Sequence, residues 1–132
     1  GMNQPVIGSN GFNSPEFIKI AGAAADGVIV GTPWFPNKED QKVKDFRKAY
    51  KDKYGKEPDQ FAAQAYDAVY LYEAALKKAG STTDREKFRD ALKNIADFVG
   101  VTGQFKFNEK RDPSMEVQVL QIKNGQFDAL KK

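Results

Sequence analysis

The stretch from Val6 to Gly31, VIGSNGFNSPEFIKIAGAAADGVIVG, places a short helix between two apolar runs. Val6-Ile7 is a strand candidate, and Gly27–Gly31 carries successive β-branched residues, which is typical of a strand buried on both faces. Between them, Ser14-Pro15-Glu16 indicates a helix start, since it offers a cap, a first-turn proline and an acid near the positive helix end. The order of strand, helix and strand predicts a βαβ unit with a parallel strand pair.

Three helices are predicted to follow this unit. Two prolines in Thr32–Pro36 bar the continuation of a helix or a central strand, so this segment is a boundary. The next helix is expected to begin after a cap at Asn37, a longer one to run from Asp59 to about Ala79, and a third to open with Thr83–Glu86. One face of the long helix is predicted to carry Phe61, Ala65, Val69, Tyr72 and Leu76.

The last third of the chain changes to strand patterns. Gln104–Asn108 alternates with period two, Glu116–Ile122 is rich in β-formers, and Asn124-Gly125 favours a tight hairpin turn. Two short parallel strands are too few to cover three amphipathic helices. We therefore expect an α/β chain that forms part of a larger structure.

The composition narrows the classes of function. The 132 residues are 40% hydrophobic and include neither cysteine nor histidine, which removes thiol chemistry and the usual general base. Catalysis would have to use Asp, Glu, Lys, Tyr or Ser, and we expect no catalytic residue, metal or cofactor. The 21 basic and 18 acidic residues are interspersed, so no nucleic-acid partner is predicted. The first five residues show no basic and apolar regions of a secretory signal.

The loop Gly8–Gly11 is the leading candidate site. It follows a strand and precedes a helix, and open α/β folds bind ligands at the carboxyl ends of their strands. Its glycine spacing matches neither a dinucleotide loop nor a P-loop. From loop chemistry alone, two interpretations remain open: a ligand-contacting wall, or a plain turn in which Asn10 and Gly11 supply positive φ angles.

Two further patterns favour structural interpretations. The lysines and Arg47 within residues 38–56 alternate with acidic residues, which indicates a solvated helix face. Tyr66, Asp67, Tyr70 and Glu73 could support acid/base chemistry, but they lack a nucleophile or a partner that would shift a pKa. Buried tyrosines bonded to their neighbours are the favoured interpretation, and no enzyme is predicted.

Six segments form a recognisable pattern by their order along the chain. They are Pro5–Phe12, Ala24–Val30, Phe46–Tyr50, Tyr54–Pro58, Tyr66–Val69 and Gly100–Gly103. Together they resemble the periplasmic substrate-binding proteins of branched-chain amino acid ABC transporters, of the leucine/isoleucine/valine-binding type. The resemblance covers nearly the whole chain and is to the C-terminal third of such proteins.

This resemblance implies part of a type I periplasmic-binding-protein fold, in which two α/β lobes are joined by three hinge segments. Residues 1–32 would form a βαβ piece of the second lobe. Residues 33–112 would form the helical segment of the first lobe after the hinge crossing. Residues 113–132 would form a C-terminal hairpin that returns to the second lobe.

The resemblance also implies the function of a non-enzymatic, periplasmic solute-binding component of an ABC importer. Its partners would be a membrane permease and a small solute, either an amino acid or an aromatic or other organic acid, which is captured by lobe closure. A ligand-sensing domain of a receptor or regulator with the same fold is the alternative. As a fragment, the chain should bind poorly alone and should self-associate, for instance by strand exchange.

Five residues are implied as ligand contacts. Asn10, Gly11 and Phe12 would line the second-lobe side of the cleft, and Ala63 and Gln64 the other side. In the family, an acidic residue that holds the ligand ammonium matches Asn10, and an amide cannot pair a buried cation in the same way. A pocket aromatic matches Ala63, where the small side chain would leave room for a bulkier ligand.

Overall fold

The computed structural model describes residues 3–130. This part of the chain contains four α-helices and seven strands, and the strands form two sheets. Residues 1, 2, 131 and 132, at the outer ends of the first and third predicted segments, lie outside the described part. The elements are β1 (Ile7–Gly8), α1 (Pro15–Ala21), β2 (Ile29–Thr32), α2 (Gln41–Tyr54), α3 (Gln60–Ala79), α4 (Arg85–Lys93), β3 (Phe98–Gly100), β4 (Gly103–Phe107), β5 (Pro113–Met115), β6 (Gln118–Lys123) and β7 (Gln126–Ala129).

The predicted βαβ unit is confirmed. β1 and β2 pair in parallel, with Ile7 opposite Ile29, and α1 lies between them in sequence. The helix begins as expected: Ser14 is its cap, its hydroxyl accepts a hydrogen bond from the N–H of Glu16, and Pro15 is the first helical residue. A 3₁₀ turn over Asn10–Phe12 connects the end of β1 to this helix.

The C-terminal hairpin joins the same sheet. The strand order is β1-β2-β6-β7, and β6 runs antiparallel to both β2 and β7. The predicted turn is present: Asn124 and Gly125 both have positive φ, 50° and 72°, as a two-residue hairpin turn of the primed type requires. Val30 and Ile122 of this sheet are completely buried, and the buried residues Ala25 and Val28 pack in the same cluster.

The three later helices are present, with corrections to the caps of α2 and α4. α2 begins at Gln41 after the cap Asp40, so the prediction of a cap at Asn37 was wrong. The chain turns at Pro36–Asn37, where the carbonyl of Phe35 accepts a bond from the N–H of Lys38, before the Asp40 carboxylate caps the helix. α3 begins after the predicted cap, Asp59, and ends at Ala79.

The start of α4 differs by one residue from the predicted capping box. Asp84 is the cap, and its carboxylate accepts from the N–H groups of Glu86 and Lys87, so the prediction of Thr83 as the capping residue was wrong.

The buried face of α3 differs from the predicted apolar face. Phe61, Val69 and Tyr72 are 55, 68 and 54% exposed within residues 3–130. The helix instead buries a different set of residues, and it contacts α4 and β3. The buried residues of α3 are Gln60, Ala63, Asp67, Leu71 and Ala75.

The second sheet contains β3, β4 and β5 in that order, all antiparallel. The alternation that predicted β4 is confirmed, whereas the three-residue strands β3 and β5 were not predicted. Phe105 of β4 lies opposite Phe98 and Met115 of its two neighbours. A second core forms beside this sheet from Trp34, Val43, Phe46, Ala63 and Val101.

Candidate functional site

The loop after β1 is held in place by packing between its own residues. A β carbon added at Gly8 would overlap the ring of Phe12, so a glycine is needed where the chain turns back. The Phe12 ring is half-buried and stacks on Phe17, with 4.5 Å between ring centroids. Gly11 is exposed and has open space around its α carbon. The backbone at Gly11 is therefore accessible, while the Phe12 ring belongs mainly to the core.

Thr32, at the end of β2, connects this loop to the following segment through its hydroxyl. The completely buried Oγ1 accepts hydrogen bonds from Nδ2 of Asn13 at 2.8 Å and from the backbone N–H of Trp34 at 3.2 Å. Its own hydrogen is donated to Oδ1 of Asn10 at 3.1 Å. One hydroxyl thus joins the loop after β1, through Asn10 and Asn13, to the end of β2 and to the Trp34 backbone.

Asn13 completes this buried network from the start of α1. Its amide nitrogen also donates to the backbone carbonyl of Trp34 at 2.9 Å, so both amide hydrogens have partners. Trp34 is 1% exposed and lies in the second core. The loop that carries Asn10 is therefore joined by hydrogen bonds to the segment that leads into the helices.

The structure places the two predicted contacts on α3 in different surroundings. Ala63 is completely buried, and its methyl group packs in the cluster that contains Trp34 and Phe46. Gln64, the next residue, is half-buried. Trp34 links the two sets of candidate residues, since it bonds with the Asn10 network and packs in the cluster that contains Ala63. The ligand-binding roles of all five residues stay predictions.

Asp67 was an acid/base candidate in the sequence, but its carboxylate holds the backbone of a turn in place. Its buried carboxylate accepts from the backbone N–H groups of Val101 and Thr102, both at 2.8 Å, and from the Thr102 hydroxyl at 2.5 Å. A β carbon at Gly100 would overlap this carboxylate. Asp67 therefore attaches the β3–β4 turn to α3, and its oxygen atoms are occupied by these donors.

The neighbouring tyrosines Tyr66 and Tyr70 contact each other, as predicted, but the prediction that they are buried was wrong, because they are 39% and 46% exposed within residues 3–130. The rings of Tyr66 and Tyr70 lie 4.8 Å apart. The pKa of the Tyr66 phenol is raised to about 12, first by its hydrogen bond with Tyr70, then by burial and by the nearby charges of Tyr70 and Asp67. A phenol with this pKa stays protonated near neutral pH and is a poor general base.

Two surface depressions lie away from the predicted contacts. One, of about 480 Å³, lies between α2, α3 and β3, and the other, of about 580 Å³, lies between α4 and the end of β4. Neither is lined by Asn10, Gly11, Phe12, Ala63 or Gln64. In a chain that contributes only one wall of a cleft, the ligand-facing surface need not form a closed pocket.

Sequence reasoning missed three buried polar residues, two of which form the network around Asn10. Thr32 and Asn13 form the network around Asn10, and no local pattern indicates a bond across 19 residues. Gln60 is completely buried, and its amide oxygen and nitrogen find no partner within residues 3–130. Its position directly after the Asp59 cap was the only available signal, and it favours a helix start rather than a buried amide.

Among residues 3–130, no cluster of three acidic side chains could hold a metal ion. None of the helices in this part of the chain combines the length and apolar character needed to cross a membrane.

Comparison with known proteins identifies the family. The family described as "Periplasmic binding protein" matches residues 1–126. The Leu/Ile/Val-binding protein homolog 1 of Brucella abortus is 33% identical over 121 residues, which are 91% of this chain and 32% of the relative. The chain thus spans about a third of the length of the curated relatives it matches.

Solved structures agree with this match. The leucine-binding protein LivK of Thermotoga maritima is 33% identical and superposes with a TM-score of 0.86 over 99% of this chain and 37% of its own. LivJ of Streptococcus pneumoniae, a branched-chain amino acid transporter substrate-binding protein solved with isoleucine, is 34% identical, with a TM-score of 0.84 over 98% and 37%. The chain therefore belongs to the periplasmic binding protein family and carries part of the type I periplasmic-binding fold.

Proposed function

We propose that this chain is the C-terminal segment of a two-lobe solute-binding protein that serves an ABC importer. The observation that carries the proposal is the agreement of a family match over residues 1–126 with superposition on LivK over 99% of the chain. The working protein would be periplasmic, would not be an enzyme, and would deliver its solute to a membrane permease. The solute would be an amino acid or a related organic acid.

The proposed lobe assignment follows the chain order. Residues 1–32 and 113–132 would belong to the second lobe, which is supported by the pairing of β2 with β6 in one sheet. Residues 33–112 would belong to the first lobe, after the crossing at Pro33–Pro36. β5, Pro113–Met115, is the exception at the start of the last segment, because it pairs with β4 of the middle segment. In the proposed assignment the return crossing to the second lobe would therefore follow Met115 rather than precede Pro113.

The proposed contacts lie on both sides of this crossing. Asn10 and Gly11 would face the solute from the second lobe, at the carboxyl end of β1, where open α/β sheets bind ligands. Phe12 would support them through its packing on Gly8. Ala63 and Gln64 would act from α3, Ala63 by leaving space and Gln64 through its half-buried amide.

Calorimetry on two samples tests this function. The polypeptide encoded by the complete reading frame that carries this chain should bind leucine, isoleucine or a related carboxylic acid with a Kd in the micromolar range. The 132-residue chain alone should bind the same solute at least about a hundredfold more weakly, because one side of the clamp is missing. Micromolar leucine binding by the 132-residue chain, or no heat from any of these solutes with the complete polypeptide, would contradict the proposal.

A further inference from the structure

The hydrogen-bonding capacity of Thr32 fixes the orientation of the Asn10 side chain. A hydroxyl oxygen has two lone pairs and one hydrogen. Both lone pairs of Thr32 accept, one from Nδ2 of Asn13 and one from the N–H of Trp34. The single hydrogen must therefore be donated.

Asn10 is the better acceptor for that hydrogen. Its Oδ1 lies 3.1 Å from the hydroxyl, whereas the Trp34 carbonyl lies at 3.4 Å and already accepts from Asn13 at 2.9 Å. If the Asn10 amide were rotated, its NH₂ group would face an oxygen whose lone pairs are both in use. The network thus holds Oδ1 of Asn10 toward the buried Thr32.

The other end of the amide is then the accessible one. Nδ2 of Asn10 donates no hydrogen bond within residues 3–130, and Asn10 is only half-buried. Gln60 holds the only buried and unpartnered side-chain nitrogen or oxygen atoms in this part of the chain, so Nδ2 of Asn10 retains contact with solvent. The accessible atom of Asn10 is a hydrogen-bond donor without formal charge.

We propose that Asn10 selects solutes that present an oxygen acceptor, a carboxylate or carbonyl, to this loop, and that it disfavours solutes that present an ammonium there. The inference rests on the proposed function, since it assigns the polarity of the same cleft wall. The loop offers no carboxylate of its own to balance a cation: the residues next to Asn10 are Ser9, Gly11 and Phe12, and the partner behind it is Thr32. A hydrogen bond from an N–H donor to an ionised carboxylate is stronger than one between two neutral groups.

Asn10→Asp is a sharp test of this polarity. The Thr32 hydroxyl can donate to an aspartate oxygen as it does to the amide oxygen, so the network and the fold are expected to persist. The accessible atom becomes a charged acceptor in place of a donor. The matched control is Asn37→Asp, which introduces the same charge at an exposed position outside this loop.

Two fragments of leucine serve as probes: 4-methylpentanoate, which lacks the amino group, and 3-methylbutylamine, which lacks the carboxylate. Nitrogen-15 NMR of the 132-residue chain follows the Asn10 side-chain NH₂ signals, and backbone signals of the loop in the variant, up to 50 mM probe. The native chain and Asn37→Asp should bind the acid about tenfold more tightly than the amine, and Asn10→Asp should reverse that order.

Equal responses to the two probes, a preference for the amine in the native chain, or no shift at Asn10 with 50 mM acid would overturn the inference. Its failure is distinguishable from failure of the proposed function. Micromolar leucine binding by the complete polypeptide with no acid preference at Asn10 would contradict the proposed polarity of the loop but still support the transport role. An acid preference at Asn10 without solute binding by the complete polypeptide would support the polarity of the loop and contradict the transport role.

Discussion

Thr32 is the residue on which the geometry of the candidate loop depends most directly. Its hydroxyl is completely buried and serves Asn10, Asn13 and the Trp34 backbone together. A buried polar group that loses its partner destabilises the folded state by more than a typical hydrogen bond stabilises it. The effect of removing this hydroxyl should therefore exceed the effect of removing the methyl group of the same side chain.

Thr32→Val is expected to lower the free energy of unfolding by about 1–3 kcal/mol, because the N–H of Trp34 and one hydrogen of Asn13 lose their acceptor without access to water. Thr32→Ser is the matched control, since it keeps the hydroxyl and removes only a methyl group, at a cost of about 1 kcal/mol. Urea unfolding followed by circular dichroism measures both. A serine variant less stable than the valine variant would show that the hydroxyl has no such role.

At this scale the sequence predicted a loop between a strand and a helix, but not the hydrogen bonds that hold it. The position of Asn10 and Gly11 in that loop could be predicted from a local pattern, and their contact with a solute stays a prediction. The bonds of Thr32 to Asn10 and of Asn13 to Thr32 span 22 and 19 residues, and only the parallel pairing of β1 with β2 brings them together. Thr32 itself was interpreted as the start of a boundary segment.

Among the elements, α3 and the β3–β4 turn form one unit through Asp67. Three donors in Val101 and Thr102 converge on its carboxylate, and Gly100 leaves the space in which the carboxylate lies. The segments Tyr66–Val69 and Gly100–Gly103, which both carry the family resemblance, therefore meet in space. Their shared role in this chain is to hold a turn on a helix.

Gly100→Ala should disrupt this unit. The added β carbon would displace the Asp67 carboxylate from the N–H groups of Val101 and Thr102, and we expect a loss of about 2–4 kcal/mol in the free energy of unfolding. Hydrogen exchange at these two amides, measured together with urea unfolding, locates the damage. Gly11→Ala, where a β carbon meets open space, is the control and should change stability by less than about 0.5 kcal/mol. Unchanged exchange at Val101 and Thr102 in Gly100→Ala would contradict this account.

An element could be predicted from the sequence where local residues determine it, and could not where contacts with distant residues determine it. Ser14-Pro15 and Asp59 start helices through local capping chemistry, and Asn124-Gly125 forms its turn for conformational reasons, so all three were predicted correctly. Asn37 and Asp40 are both good caps, and the turn at Pro36–Asn37 decides between them. β3 and β5 have three residues each, too few for a periodic pattern, and they exist because β4 lies between them.

A large apolar face of α2 and α3, here called the α3 face, has no covering layer among residues 3–130. Val69 is 68% exposed, and Tyr54, Phe61 and Tyr72 are each more than half exposed. Exposed apolar patches of this kind indicate contact with other protein. The relatives are about three times as long as this chain, so in the proposed protein the missing part would cover this face.

The isolated chain should therefore self-associate through the α3 face. We expect the mean mass in sedimentation velocity to rise above 14.7 kDa as the chain concentration increases. Val69→Lys places a charge at the centre of this face and should weaken association by about tenfold or more, since burial of one valine contributes about 1.5 kcal/mol or more. Ala96→Lys adds the same charge at an exposed position outside α3 and should leave association unchanged. A single species of 14.7 kDa at all concentrations, or equal effects of the two lysines, would mean that the α3 face is stable in water and needs no covering layer.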